Sequence, residues 1–175
     1  EPLVVYINHW KSKHGGAQVT ASARELAAKA LSRLAGAARR RKPAPLVVAA
    51  GDFNTELPSG IGLGSRPTSA HSDGSTRALR SGWTLAEDSR EHAADRAASP
   101  RGSYVYGGSW ERIDDILIGP RGFDGRGLEF QAFRVVRPAY LLNREGAPRR
   151  FAAYRGSGYS DHLPIVAEFR LARQR

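Results

Sequence analysis

The chain of 175 residues has no cysteine and no methionine. Without cysteine there is neither a disulfide framework nor a thiolate metal site. That fits export without establishing it. No apolar run approaches the ~18 residues that a membrane-spanning helix requires. No signal peptide is visible either, but the chain opens at Glu1-Pro2 and enters the strand-like LVVYI at once. Such a start reads as a processed or truncated piece, so the missing leader does not decide localisation. Acidic residues are scarce: 17 Asp and Glu stand against 27 Lys and Arg, for a formal net charge of +10. This balance suits polyanions (nucleic acid, anionic lipid or polyphosphate), although Arg- and Ala-rich usage also follows from coding bias. With 41% hydrophobic residues, the length suffices for one domain with a real core.

What is present is organised around Gly51-Asp52-Phe53-Asn54, directly after the apolar run at 45–50 (PLVVAA). That run has no polar alternation and reads as a strand buried on both faces. Its carboxyl end is where ligands bind in open α/β sheets. Asp52 and Asn54, two residues apart, fall on the same side of an extended chain. A carboxylate and an amide aimed at one point suit a hard cation, a phosphate oxygen or an attacking water. Taken alone, the same residues equally describe a turn that closes a strand.

Residues 3–7 form a second apolar strand, which delivers His9 with Lys11 and Lys13 close behind. Helical spacing of Leu26, Ala27, Ala30, Leu31 and Leu34 predicts a helix over 20–41, with Thr20 or Ser22 as N-cap and a basic end stopped by Pro43. Strand, helix and strand of these lengths make a crossover with parallel neighbours, which places His9 and Asp52 at one sheet edge. Residues 56–76 read as a long Gly/Ser/Pro loop, 77–81 as a short helix, 83–85 as a strand fragment and 88–101 as loop or exposed helix. His14, His71 and His92 read as surface histidines. A hairpin is expected at 103–106 with Gly107-Gly108 at its turn, and its return strand carries 110–118. Asp114 lies inside that apolar run and so needs a partner. A strand covers 128–136. Residues 137–158 interleave arginines with aromatics, a mixture that grips phosphates and stacks bases but also suits a merely soluble loop. The last strand, 163–171, is entered through Tyr159-Ser160-Asp161-His162, whose acid and imidazole point different ways.

Together NHWKSK, GDFN, ERIDDIL and SDHLPI resemble the endonuclease/exonuclease/phosphatase superfamily, over residues 3–171. The run NHWKSK followed by a Gly pair looks most like the bacterial extracellular nucleases of that superfamily. The resemblance implies an α/β (α+β) domain, a DNase I-like four-layered β-sandwich flanked by helices, of which this chain is the C-terminal portion. It implies a divalent-metal-dependent phosphodiester hydrolase, foremost a nuclease acting on DNA or RNA, in a secreted or periplasmic setting. His9, Asp52, Asn54, Asp114 and His162 would be catalytic, with Asp114 orienting His162. Asp161 and Asp52 would serve Mg²⁺, or Mn²⁺ or Ca²⁺ in its place. Asn8, Lys11, Lys13, Arg112 and Tyr159 would contact substrate. Members of the superfamily begin with two further strands, one bearing the principal metal-binding Glu. A complementary N-terminal polypeptide of the same domain is therefore expected as a separate chain or as a removed segment.

Two other functions share these residues. A phosphoesterase for phospholipid or inositol phosphate would use the same catalytic groups, with an apolar hairpin exposed at the cleft. A cleaved or degenerate half would be a binding module without activity.

Overall fold

A computed structural model describes residues 2–57, 60–62, 78–88 and 101–172. Five strands form a mixed sheet in the order β1-β2-β7-β4-β3. They are β1 (Leu3–His9), β2 (Leu46–Asp52), β3 (Ile61–Gly62), β4 (Ala78–Ser81) and β7 (Asp114–Ile118). β1 and β2 run parallel, joined through helix α1 (Ala21–Arg39), while β7 lies antiparallel to both β2 and β4. A second sheet pairs β8 (Leu128–Val135) with β9 (Ile165–Leu171), and β5 (Tyr104–Tyr106) with β6 (Ser109–Glu111) forms a hairpin.

The apolar run ahead of Asp52 is buried from Pro45 to Ala49, as its lack of alternation implied. Its side chains alternate between two cores. Val47 and Ala49 pack with Leu31, Ala35 and Ala38 of α1, whereas Leu46 and Val48 face Ile118, Leu85, Phe130 and Phe169. The central sheet is thus covered by α1 on one side and by β8 and β9 on the other. β1 is an edge strand with only one face covered: Val4 and Tyr6 turn toward α1, while Leu3, Val5 and Ile7 are half exposed or more.

Several local expectations are corrected. Residues 78–81 form strand β4 rather than a helix, and Trp83 begins no strand but lies in helix α2 (Gly82–Asp88). Tertiary contacts override weak local preference here. β4 is held by pairing with β7, and the Asp115 carboxylate accepts the Gly82 N–H at 3.0 Å where α2 begins. The expected return strand over 110–118 is broken at Arg112-Ile113, so β6 stays in the hairpin and β7 enters the central sheet. Thr20 occupies the N-cap position of α1 without capping it. Its hydroxyl donates to Gly16 O at 3.0 Å and accepts from buried Arg24 at 2.7 Å. His71, His92 and most of the 56–76 and 88–101 segments lie outside the described residues.

Candidate active site

Strand register builds the site. His9 stands opposite Asp52, and Asp52 opposite Asp114, so three adjacent strands carry a histidine and two carboxylates in one row. Paired residues project to the same face of a sheet. The His9 Nε2 to Asp52 Oδ2 distance is 3.7 Å. Beyond the row, the turn before β9 brings in His162, anchored by a bridge to Tyr104 and by the Leu163 N–H on Ser103 O at 2.7 Å.

Glycine is required at the head of GDFN. Gly51 has φ of +137°, and a Cβ there would lie 1.9 Å from Asn8 O. A side chain would force β2 away from β1 and spoil the His9–Asp52 register. Asp52 and Asn54 do not project from an extended chain as expected. Asn54 adopts φ of +51°, and the Asp52 carboxylate accepts its backbone N–H at 2.8 Å and its Nδ2 at 2.9 Å. This turn is of the Asx type, in which the acid holds its own downstream backbone. Asn54 Nδ2 also donates to Trp10 O at 3.1 Å, which ties the loop after β2 to the loop after β1. Beneath both loops, fully buried Phe53 meets Trp10 edge-to-face at 4.9 Å between centroids.

Asp114 has found the partners that its apolar surroundings demanded. Its Oδ2 lies 2.7 Å from His162 Nδ1 and accepts the Ser103 hydroxyl at 2.6 Å. Burial disfavours the imidazolium of His162. The Asp114 hydrogen bond and charge, reinforced by Asp52 and Asp161, outweigh burial and raise its pKa above the ordinary 6.5. The Tyr104 ring lies 4.6 Å from the His162 ring at an interplanar angle of 33°, a tilted stack that fixes the imidazole plane.

The structure therefore brings His9, Asp52, Asn54, Asp114 and His162 together. One ligand atom from each of Asp52, Asp114 and His162 lies within 4.8 Å of the others. Asp161 is outside that group: its carboxylate points to Arg150, 3.9 Å away, so it and His162 do face different partners. Asn8 spends its amide on Tyr6 O and its Oδ1 on Trp10 Nε1. Lys13 pairs with Glu111 at 2.8 Å, and Lys11 is exposed in the same loop. Arg112 lies against Trp83, bonded to Glu87 and to Arg101 O. Tyr159 is exposed and touches Tyr140.

Three contributors escaped the sequence. Ser103, Tyr104 and Arg24, whose guanidinium donates to Lys11 O at 3.1 Å and so holds the loop after β1, carry no motif, because a serine or tyrosine in a hairpin strand and an arginine on a helix are ordinary there. The one usable sign was negative: a carboxylate in the ERIDDIL run had to be satisfied by something, and Ser103 with His162 satisfies it.

Residues 1–171 match the family model described as Endonuclease/Exonuclease/phosphatase family. No curated protein matches the chain.

Proposed function

Because the chain belongs to the endonuclease/exonuclease/phosphatase family, we propose that it hydrolyses phosphodiesters of nucleic acid, DNA foremost, with a divalent cation. One observation carries this reading: the strand row of His9, Asp52 and Asp114 converges with the Asp114–His162 pair. The donor set fits a hard cation, since two carboxylates keep acceptor capacity beyond the bonds they make and the cleft holds no sulfur. Asp52 and Asp114 would hold the ion, while Asp161 faces Arg150. When bound, Mg²⁺ (or Mn²⁺ or Ca²⁺) supplies neutralisation of charge on the phosphate oxygens.

The side chains do the rest. Asp114 sets the tautomer of His162 by holding its Nδ1 proton, which leaves Nε2 to take a proton from the attacking water. Both amide protons of Asn54 are committed to Trp10 O and Asp52 Oδ2, so Oδ1 is the atom it presents to that water. As the water oxygen bonds to phosphorus, the bond to the leaving alkoxide breaks and the alkoxide takes its proton from solvent water. His9, 78% exposed across Asp52, would meet the phosphate from the other side.

The finer architecture belongs to the same proposal. The fourth layer of the sandwich, and a cover for Leu3, Val5 and Ile7, would come from a further polypeptide segment of this domain. Exposed apolar side chains on an edge strand favour such a partner.

Plasmid nicking with Mg²⁺ and with EDTA, by the unaltered chain and by His162→Ala, tests the reading. Nicking that needs the metal and falls by roughly 10²–10⁴ in the variant supports it. Nicking in EDTA, or equal rates for the two proteins, rejects it. Cleavage of a phospholipid headgroup but not of DNA transfers the site to the lipid substrate.

A further inference from the structure

We propose that the segment from 137 to 160, together with the β5–β6 hairpin, is a platform that stacks the unpaired bases of a single nucleic-acid strand next to the catalytic cleft. The proposal rests on the phosphodiesterase reading for the identity of the cleft, and extends it by naming the form of the substrate.

The segment is built as a fixed surface. It has little regular structure, only two short 3₁₀ turns, yet its backbone is laced internally. Arg149 N–H donates to Leu141 O at 2.7 Å, Ala152 N–H to Ser157 O at 2.7 Å and Tyr159 N–H to Arg149 O at 2.8 Å. On this frame four large rings stay in solvent: Tyr140, Phe151, Tyr154 and Tyr159 are each more than half exposed, Tyr154 by 82%. A soluble protein rarely clusters uncovered rings unless something is to cover them.

The charge identifies the partner. Residues 137–160 hold five arginines against one glutamate, so the rings sit in a cationic surround suited to phosphates. The guanidinium of Arg155 stands 5.1 Å from the Tyr154 ring centroid, presenting two adjacent planar groups. Tyrosine, phenylalanine and arginine planes together are the side chains on which free bases stack. A membrane-inserting surface would bring Leu or Trp alongside its rings. Among the described residues of this segment the exposed large hydrophobic side chains are all Tyr or Phe.

The platform is continuous with the cleft. Arg150 lies 5.7 Å over the Tyr104 ring and reaches Val105 O at 3.3 Å, and Tyr104 in turn stacks on His162. A series of planes thus runs from the imidazole of His162 through Tyr104 to Arg150, which Phe151 follows directly in the chain and whose neighbour Arg149 accepts the Tyr159 N–H. A strand whose phosphate lies at His162 would lay its neighbouring bases along that series. Bases inside a duplex have no free faces to offer, so a duplex would gain only the arginine contacts.

The test measures fluorescence anisotropy of a labelled twelve-nucleotide oligothymidylate, of a blunt duplex and of anionic phosphatidylserine vesicles, in EDTA so that nothing is cleaved. Single strand bound more tightly than duplex, with Kd raised roughly tenfold or more by Tyr154→Ala and by Tyr140→Ala, supports the platform. Tyr154→Phe, which keeps the ring, should restore the affinity of the unaltered chain. Duplex bound as well as single strand, affinity indifferent to the alanine variants, or binding of vesicles alone overturns it. Hydrolysis of bis(4-nitrophenyl) phosphate by the unaltered chain is followed alongside. Ring-dependent strand binding without that hydrolysis supports the platform and rejects the catalytic reading; hydrolysis without ring-dependent binding rejects the platform alone.

Discussion

Asp115 offers a stability prediction that can be worked from the structure. It follows Asp114 directly but turns to the opposite face, where it is buried to 1% exposure. Its carboxylate accepts the Ser81 hydroxyl at 2.6 Å and the N–H groups of Gly82 and Ile116 at 3.0 and 2.7 Å. Burial outweighs these bonds and pushes its pKa from 3.8 to about 6. The folded state thus favours the neutral acid. Its contribution is fully present below the unfolded pKa and is lost as pH rises through about 6. The interval corresponds to about 3 kcal/mol. Asp115→Asn keeps an oxygen for Gly82 and Ile116 and has no charge to bury. Altered geometry at Ser81 costs about 1 kcal/mol, so a net gain of about 2 kcal/mol is expected at pH 7.5, shrinking toward zero or below at pH 4. Denaturant unfolding of both proteins at the two pH values measures this directly. A difference between them that does not change with pH, or a variant less stable at pH 7.5, would refute the reasoning.

Other expectations concern the site itself. Ser103→Ala removes one of the two donors on Asp114 Oδ2 and should lower stability by about 1 kcal/mol, with the fall in phosphodiester hydrolysis appearing in kcat rather than KM. Asp114→Asn removes the hydrogen bond and charge that hold the His162 imidazolium and leaves burial opposed by Asp52 and Asp161 alone. The His162 pKa should then fall relative to the unaltered chain, which an imidazole NMR titration detects; no fall contradicts the pairing. Gly51→Ala drives a methyl into Asn8 O and should cost about 3 kcal/mol or more, seen as a lower unfolding midpoint.

What could be read in the sequence was decided by how local its cause was. The 46–50 run, the Gly107-Gly108 turn and the helical spacing around Leu31 state their structure within a few residues, although Leu26 and Leu34 of that spacing are exposed. The site motifs were legible because each ends a strand, and strand ends on one sheet edge meet whatever the loops between them do. The exchange of helix and strand around Ser81 was not legible. The four residues of β4 are held by β7 and β3, and the start of α2 by a carboxylate 33 positions away. The adjacent acids Asp114 and Asp115 looked alike in sequence, yet the pleat sends one to His162 and the other into the core. The fates of Lys13 and Arg112 depended on Glu111 and Glu87, partners that no spacing rule connects to them.

On the proposed function, Asp52 and Asp114 hold one divalent ion, with His162 and His9 beside it. Titrating Mn²⁺ into the protein while recording the histidine ring signals by NMR tests this most directly. The His162 and His9 signals should broaden together at substoichiometric metal, and Asp52→Asn should abolish the effect. Sharp His162 and His9 signals while other histidines broaden, or identical behaviour of the Asp52→Asn protein, would contradict it.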